Sequence, residues 1–202
     1  MESVLVESTI TKLSLAVSLI DDYTDSQPIG ESKLALGEKE AIRNRSGYYL
    51  FLDLAAGDYP LKVQARYYFD QEVDITLPLS GEPLANLTLK PNPSYPFSER
   101  ATLIRGMVRD TEGEPVPGAT VKIMGKEIEN KTTQKGEFVL YFKALKEQDI
   151  IKVNKKRYVR RDMSRRLRLT ATHPDYKTKT VPVEVEEGKT TAVSITLKRK
   201  GG

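Results

Sequence analysis

Apolar residues in this chain recur at every second position, in runs too short for a helix and closed on both sides by turn formers. Leu13, Leu15, Val17 and Leu19 alternate with smaller or polar residues, and Asp21–Pro28 then interrupts the pattern. Alternation of this kind puts one set of side chains on one face of a strand, and Asp, Ser, Gly and Pro turn the backbone between strands. No window of 11 residues carries a helical period. Many short strands with regular turn signals define an all-β chain built as sandwiches.

The pattern occurs twice. In the first half, Ser32–Leu36, Gly47–Leu54, Leu61–Ala65, Gln71–Leu77 and Leu84–Leu89 read as further strands. In the second half, Leu103–Arg109, Ala119–Met124, Gly136–Phe142, Leu167–Ala171, Val181–Val185 and Ala192–Leu197 follow in the same order. Between the halves lies Pro91-Asn92-Pro93-Ser94-Tyr95-Pro96-Phe97, whose prolines forbid ladder pairing and favour a stiff, extended connector. The expected organisation is a sandwich over 1–91, a Pro-rich linker over 92–100 and a second sandwich over 101–202. Each half has enough residues to bury a small core of its own.

The second half carries Gly106-x-Val108-x-Asp110, then Gly113-Glu114-Pro115-Val116-Pro117-Gly118-Ala119-x-Val121, then Thr133-x-x-Gly136-Glu137-Phe138, and finally His173-Pro174-Asp175-Tyr176. Over about 102–198 it resembles the carboxypeptidase regulatory-like domains, which have a transthyretin-like (prealbumin-like) Greek-key sandwich. The first half is similar to a diverged copy, with Pro28-Ile29-Gly30 at the turn and Gly47-Tyr48-Tyr49 for Gly136-Glu137-Phe138, but without the Gly-x-Pro turn itself. The resemblance implies a non-catalytic module of the kind that accompanies peptidases, transporters and surface proteins. Its physical content is conformational: Gly supplies positive φ and Pro a φ near −65°.

Composition narrows the chemistry further. The 202 residues include no Cys, no Trp and one His. That removes disulfides, Cys nucleophiles, thiolate metal sites and any site needing two imidazoles from one chain. A carboxypeptidase catalytic domain needs a His-x-x-Glu pair and a further zinc His. The transthyretin-like hydrolase of 5-hydroxyisourate uses several His and a C-terminal Tyr-Arg-Gly-Ser, whereas this chain ends Lys198-Arg199-Lys200-Gly201-Gly202. Met1–Glu7 shows no basic segment followed by an apolar stretch, and no run approaches the roughly 20 apolar residues of a membrane span. The expectation is a cytoplasmic protein that is not an enzyme, with no cofactor, no metal site and no catalytic residue.

One segment breaks the repeat. With Gly47 aligned to Gly136 and Leu61 to Leu167, the first half crosses through seven residues, Leu54–Pro60, and the second through 24, Lys143–Arg166, an insertion of 17. Lys152–Arg168 holds nine cations and one acid, a net +8, against +4 for the whole chain, so the remainder carries −4. Ile151-Lys152-Val153 and Arg157-Tyr158-Val159 bracket Asn154-Lys155-Lys156, which reads as a protruding basic hairpin near 146–166. Lys152, Lys155, Lys156, Arg157, Tyr158, Arg160, Arg161, Arg165 and Arg166 are the candidate partner-binding residues. The plain alternative is a solvated hairpin whose charges offset an acidic body.

The primary expectation is a binding or assembly protein, an accessory or structural component of a larger complex, docking through this hairpin and through sheet edges. A nucleic-acid adaptor is one alternative, supported by the cations and by Tyr158 as a stacking ring, but by no recognised nucleic-acid module. A carbohydrate-binding module is the other, resting on Tyr48-Tyr49 and Tyr67-Tyr68-Phe69, although adjacent strand residues face opposite ways. Asp21, Asp22 and Asp25 match no calcium loop and suit backbone capping. His173, next to Pro174, reads as a turn residue.

Overall fold

The computed structural model describes residues 11–201. Met1–Glu7, read above for an export signal, lies outside them. The chain divides into two compact units between Leu89 and Lys90. Both are β-sandwiches, and the only helical element among the described residues is a 3-10 turn at Glu147–Asp149.

The first unit has eight strands: β1 (Leu13–Asp21), β2 (Ser32–Leu36), β3 (Lys39–Glu40), β4 (Ile42–Arg43), β5 (Tyr49–Leu52), β6 (Gly57–Ala65), β7 (Gln71–Leu77) and β8 (Leu84–Leu89). They form one sheet in the order β4-β5-β1-β8 and a second in the order β3-β2-β6-β7. The alternating residues read from the sequence face inward: Leu15, Val17, Leu34, Leu36, Phe51, Leu61, Val63 and Leu89 are all at most 3% exposed. Each such side chain contributes roughly 1.5–3 kcal/mol by leaving water.

The second unit contains β9 (Leu103–Asp110), β10 (Thr120–Ile123), β11 (Glu129–Lys131), β12 (Glu137–Tyr141), β13 (Ile150–Val153), β14 (Lys156–Val159), β15 (Arg166–His173), β16 (Tyr176–Glu184) and β17 (Thr190–Leu197). Its sheets run β12-β9-β17 and β11-β10-β15-β16, with β13 and β14 as a separate hairpin. The order repeats that of the first unit, except that, among the described residues, nothing takes the place of β4 beside β12 and the β13–β14 hairpin has no counterpart. In both, the first strand pairs antiparallel with a central strand and parallel with the last one, β1 with β8 and β9 with β17.

Register refines the alignment of the halves. Tyr49 pairs with Val17 as Phe138 pairs with Gly106, which keeps Gly47 opposite Gly136. Leu36 pairs with Leu61 as Ile123 pairs with Leu169, so Leu61 corresponds to Leu169 rather than Leu167. The offset between halves therefore grows from 89 to 108 positions, and the insertion is 19 residues long.

The same alignment exposes a repeated polar clamp. Asp21 and Asp110 end the first strands at equivalent positions and are 0% and 3% exposed. Asp21 Oδ1 accepts the backbone N–H groups of Tyr23 at 2.7 Å and Thr24 at 3.3 Å, and Oδ2 accepts the Tyr68 hydroxyl at 2.9 Å. Asp110 Oδ1 accepts the N–H groups of Glu112 at 2.9 Å and Glu114 at 3.0 Å, and its Oδ2 pairs with Arg199 at 3.5 Å, whose guanidinium also lies against Tyr176, the counterpart of Tyr68. Burial alone would raise the Asp110 pKa; the backbone donors, Arg199 and Tyr176 outweigh it and hold it below the ordinary carboxylate range.

The Pro-rich run, expected as a connector, packs as part of the second unit. Asn130 Nδ2 donates to the Pro91 carbonyl at 2.9 Å, Arg105 donates to the Pro93 carbonyl at 2.7 Å, and Tyr95 is buried. The Arg105 guanidinium lies 5.5 Å from the centre of the Phe97 ring, which in turn stands 5.5 Å from Tyr141.

Tyr68→Phe removes a buried hydrogen bond to a carboxylate and should lower stability by about 1–3 kcal/mol, read as a lower calorimetric midpoint. Asp110 has a depressed pKa, so its contribution is complete above the ordinary carboxylate range and is lost as pH falls through the lower folded value. The midpoint gap between wild type and Asp110→Asn should therefore shrink as pH drops below about 4; a constant gap would show that ionisation of Asp110 does not stabilise the fold.

Candidate functional site

The basic insertion is built around a two-residue turn. Asn154 and Lys155 both have positive φ, 49° and 64°, the signature of the tight hairpin turn whose twist matches that of the flanking strands. Lys156, expected within the turn, is the first residue of β14 and pairs with Val153. The hairpin is not a free protrusion. Val159 N–H donates to Val185 O at 2.8 Å, Glu187 N–H donates to Arg157 O at 2.9 Å, and Arg160 N–H donates to Asp149 O at 2.8 Å. Ile150 and Val159, partners across the hairpin, are 8% and 0% exposed and belong to the core of the second unit. Their shared face explains the docking: alternation continues from the sandwich into the insertion.

Docking brings carboxylates to the cations. Arg157 pairs with Glu147 at 2.8 Å and also with Glu187. Lys156 meets Glu186 at 3.5 Å, and Lys152 meets Glu147 at 3.9 Å. Arg165 and Arg166 share Glu184, at 3.0 and 3.5 Å. Glu147, Glu184, Glu186 and Glu187 lie outside Lys152–Arg168 in sequence, and together they halve its net charge from +8 to +4. The hydrogen bond from Arg157 is the main reason that the Glu147 pKa is depressed; Lys189 does the same for Glu186. Contact with Glu187, and then Glu147, raises the pKa of Arg157 still further.

The remaining basic character lies at the hairpin tip and in the turn after β14. Lys155 stands exposed at the tip. Arg160 donates to the Gln148 carbonyl at 2.7 Å, and Arg161, packed beside Gly125, pairs with its neighbour Asp162 at 3.6 Å. Arg161 and Ser164 exchange two backbone hydrogen bonds of 2.9 Å, closing a tight loop. At its crest Met163 is 83% exposed, far above every other exposed large apolar side chain among the described residues. The loop thus presents one thioether among Arg160, Arg161, Arg165 and Arg166. Sequence reasoning named the arginines and passed over Met163, and it left the acidic run Glu184–Glu187 unconnected to the insertion.

The other candidates resolve simply. Tyr158 is covered by the Arg165 guanidinium, 5.3 Å from its ring centre. Tyr49 and Tyr68 are buried while Tyr48 is exposed, so the paired aromatics do not form one platform. Asp21 caps backbone groups, and His173 Nδ1 accepts the Asp175 N–H at 3.2 Å inside a turn. Among the described residues, no three His, Asp or Glu side chains are placed to hold a metal ion, and no helix is long and apolar enough to cross a membrane.

No protein-family model matches the chain, and no curated protein does. Solved structures show a distant likeness. The Bacillus anthracis TIE protein superposes with a TM-score of 0.34 at 13% identity, over 93% of this chain and 34% of that one. The minor pilin GBS52 of Streptococcus agalactiae gives 0.31 at 12%, over 94% and 98%. The shaft pilin SpaA of Lactobacillus rhamnosus GG gives 0.32 at 10%, over 96% and 99%. This chain thus spans about a third of the TIE protein chain and nearly all of the two pilin chains. Likenesses of this strength concern general sandwich build alone.

Because the pKa of Glu147 is depressed, its pairing with Arg157 persists as pH falls through the ordinary carboxylate range and is lost only below it. Arg157→Ala should move the Glu147 titration, followed by carboxylate NMR, up toward the usual glutamate value. An unmoved midpoint would show that Arg157 does not hold that carboxylate.

Proposed function

We propose that the protein is a non-catalytic assembly component: two tandem sandwiches of transthyretin-like type, the second resembling the carboxypeptidase regulatory-like domains, that dock a protein partner through the turn after β14. The observation that carries this reading is Met163, 83% exposed, with the Arg160 guanidinium 3.8 Å from its sulfur. Exposed Met and Arg are the combination over-represented in protein interfaces, where the thioether fills irregular apolar gaps and the guanidinium pairs with carboxylates. Lys155, Arg160, Arg161, Arg165 and Arg166 are assigned to the contact, and Lys152, Lys156 and Arg157 to holding the hairpin against the sandwich. Tyr158, with Arg165 across its ring, offers no open face for a base, which weighs against the nucleic-acid reading.

Deleting the insertion would open the core at Ile150 and Val159, so the informative variant is Arg161→Gln/Met163→Ser/Arg166→Gln. Affinity purification from the native source should recover a stoichiometric protein partner with wild type and lose it with this variant. An unchanged partner set would overturn the reading. Oligonucleotide binding that falls steeply with salt would replace it with nucleic-acid recognition.

A further inference from the structure

The chain has no Cys and four Met, so all its sulfur is thioether. A thioether is nucleophilic without losing a proton, and exposure governs how readily it is oxidised. Met107 on β9 and Met124 just after β10 are half-buried, and the Met107 sulfur accepts from Arg109 at 3.5 Å. Met163 is 83% exposed. Its turn holds it out: Arg161 and Ser164 are joined by their paired backbone hydrogen bonds, and the Arg160 N–H is tied to the Asp149 carbonyl at 2.8 Å.

The sandwich does not require a methionine here, because the insertion that carries it is absent from the first unit. The group beside the sulfur is specific. Arg160 directs one guanidinium N–H at it from 3.8 Å, while Arg160 Nε is anchored on the Gln148 carbonyl at 2.7 Å. A thioether is a weak acceptor, whereas a guanidinium carries fixed donors and stays charged throughout the ordinary pH range. Such a donor is far stronger than sulfur needs and is matched to an oxygen. One oxygen added to this sulfur supplies that acceptor.

We infer that Met163 is a reversible oxidation site, whose sulfoxide oxygen is received by Arg160 and switches off docking at this turn. The switch rests on the docking reading of the turn given above. A sulfur lone pair attacks one oxygen of a peroxide, the O–O bond breaks, and the proton on the transferred oxygen passes to the departing hydroxide to give water. Sulfur loses two electrons and the peroxide gains them. A thiol-dependent methionine sulfoxide reductase reverses the step, releasing the oxygen as water and leaving its own two thiols as a disulfide. The oxygen removes both halves of the contact at once. The side chain becomes polar and no longer fills an apolar gap, and Arg160 is drawn away from partner carboxylates.

Purified protein treated with hydrogen peroxide and mapped by peptide mass spectrometry should show Met163 fully converted while Met107 and Met124 stay largely unmodified. In the converted protein the guanidinium NMR signals of Arg160 should shift, and they should return after treatment with the reductase. Once the peroxide is removed, the converted protein should lose the partner that untreated wild type recovers from the native source, and regain it after reduction. Met163→Leu keeps the size and apolar character of the side chain, so it should recover the partner equally with and without peroxide treatment. Conversion of Met107 or Met124 ahead of Met163, unmoved Arg160 signals, full partner recovery by the converted protein, or a peroxide effect on Met163→Leu would overturn the inference. If untreated wild type recovers no partner while Met163 is still converted first and Arg160 responds, the docking reading and its switch fall and the oxidation site stands.

Discussion

A buried carboxylate at the end of the first strand organises each sandwich. Asp21 and Asp110 leave the sheet where the chain must turn, and each binds the N–H groups that the turn would otherwise strand. The remaining oxygen reaches Tyr68 in the β6–β7 connection for Asp21, and Arg199, which lies against Tyr176 at the start of β16, for Asp110. One side chain therefore joins the turn after the first strand to the hairpin of the opposite sheet. A carboxylate in so dry a position would be costly without this set of donors, and the donors are what keep it ionised. The parallel pairing of first and last strands closes beside it, with Leu89 and Leu197 opposite the two aspartates.

Much of this was legible in the sequence. Alternation located the long strands, because a half-buried strand in water has few other solutions. The repeat placed the insertion, because Gly47 and Gly136 share a positive φ that most other residues would resist. The two-residue slip at Leu61 arose because Leu167 and Leu169 both face inward, and only pairing with β2 and β10 decides between them. Strands of two or three residues such as β3, β4 and β11 are too short to carry a period. β16 begins five residues before Val181 because Lys177–Thr180 is polar on both faces yet still pairs with β15.

The basic insertion shows where sequence reading stops. Counting charges along the chain gave nine cations in 17 residues, but electrostatics acts through space. Glu184, Glu186 and Glu187 are remote in sequence from Lys156 and Arg157 and adjacent in the fold, since β14 lies along the segment after β16. Exposed pairs of this kind add little stability individually. Their larger effect is to redistribute potential, muting the hairpin strands and leaving the following turn as the positive feature.

Gly106 has a consequence for how two similar sandwiches fold on one chain. A Cβ at this position would run into the Val193 carbonyl and come within 2.8 Å of the Phe138 ring. Its counterpart in the first unit is Val17, which packs without exposure opposite Tyr49. The two copies thus solve one packing problem in incompatible ways. Were β1 to enter the second sandwich, its valine would collide with neighbouring backbone; were β9 to enter the first, its glycine would leave a hole. Tandem repeats are prone to exchanging equivalent strands as they fold. Here a single difference in side-chain volume lets each sandwich recognise its own first strand.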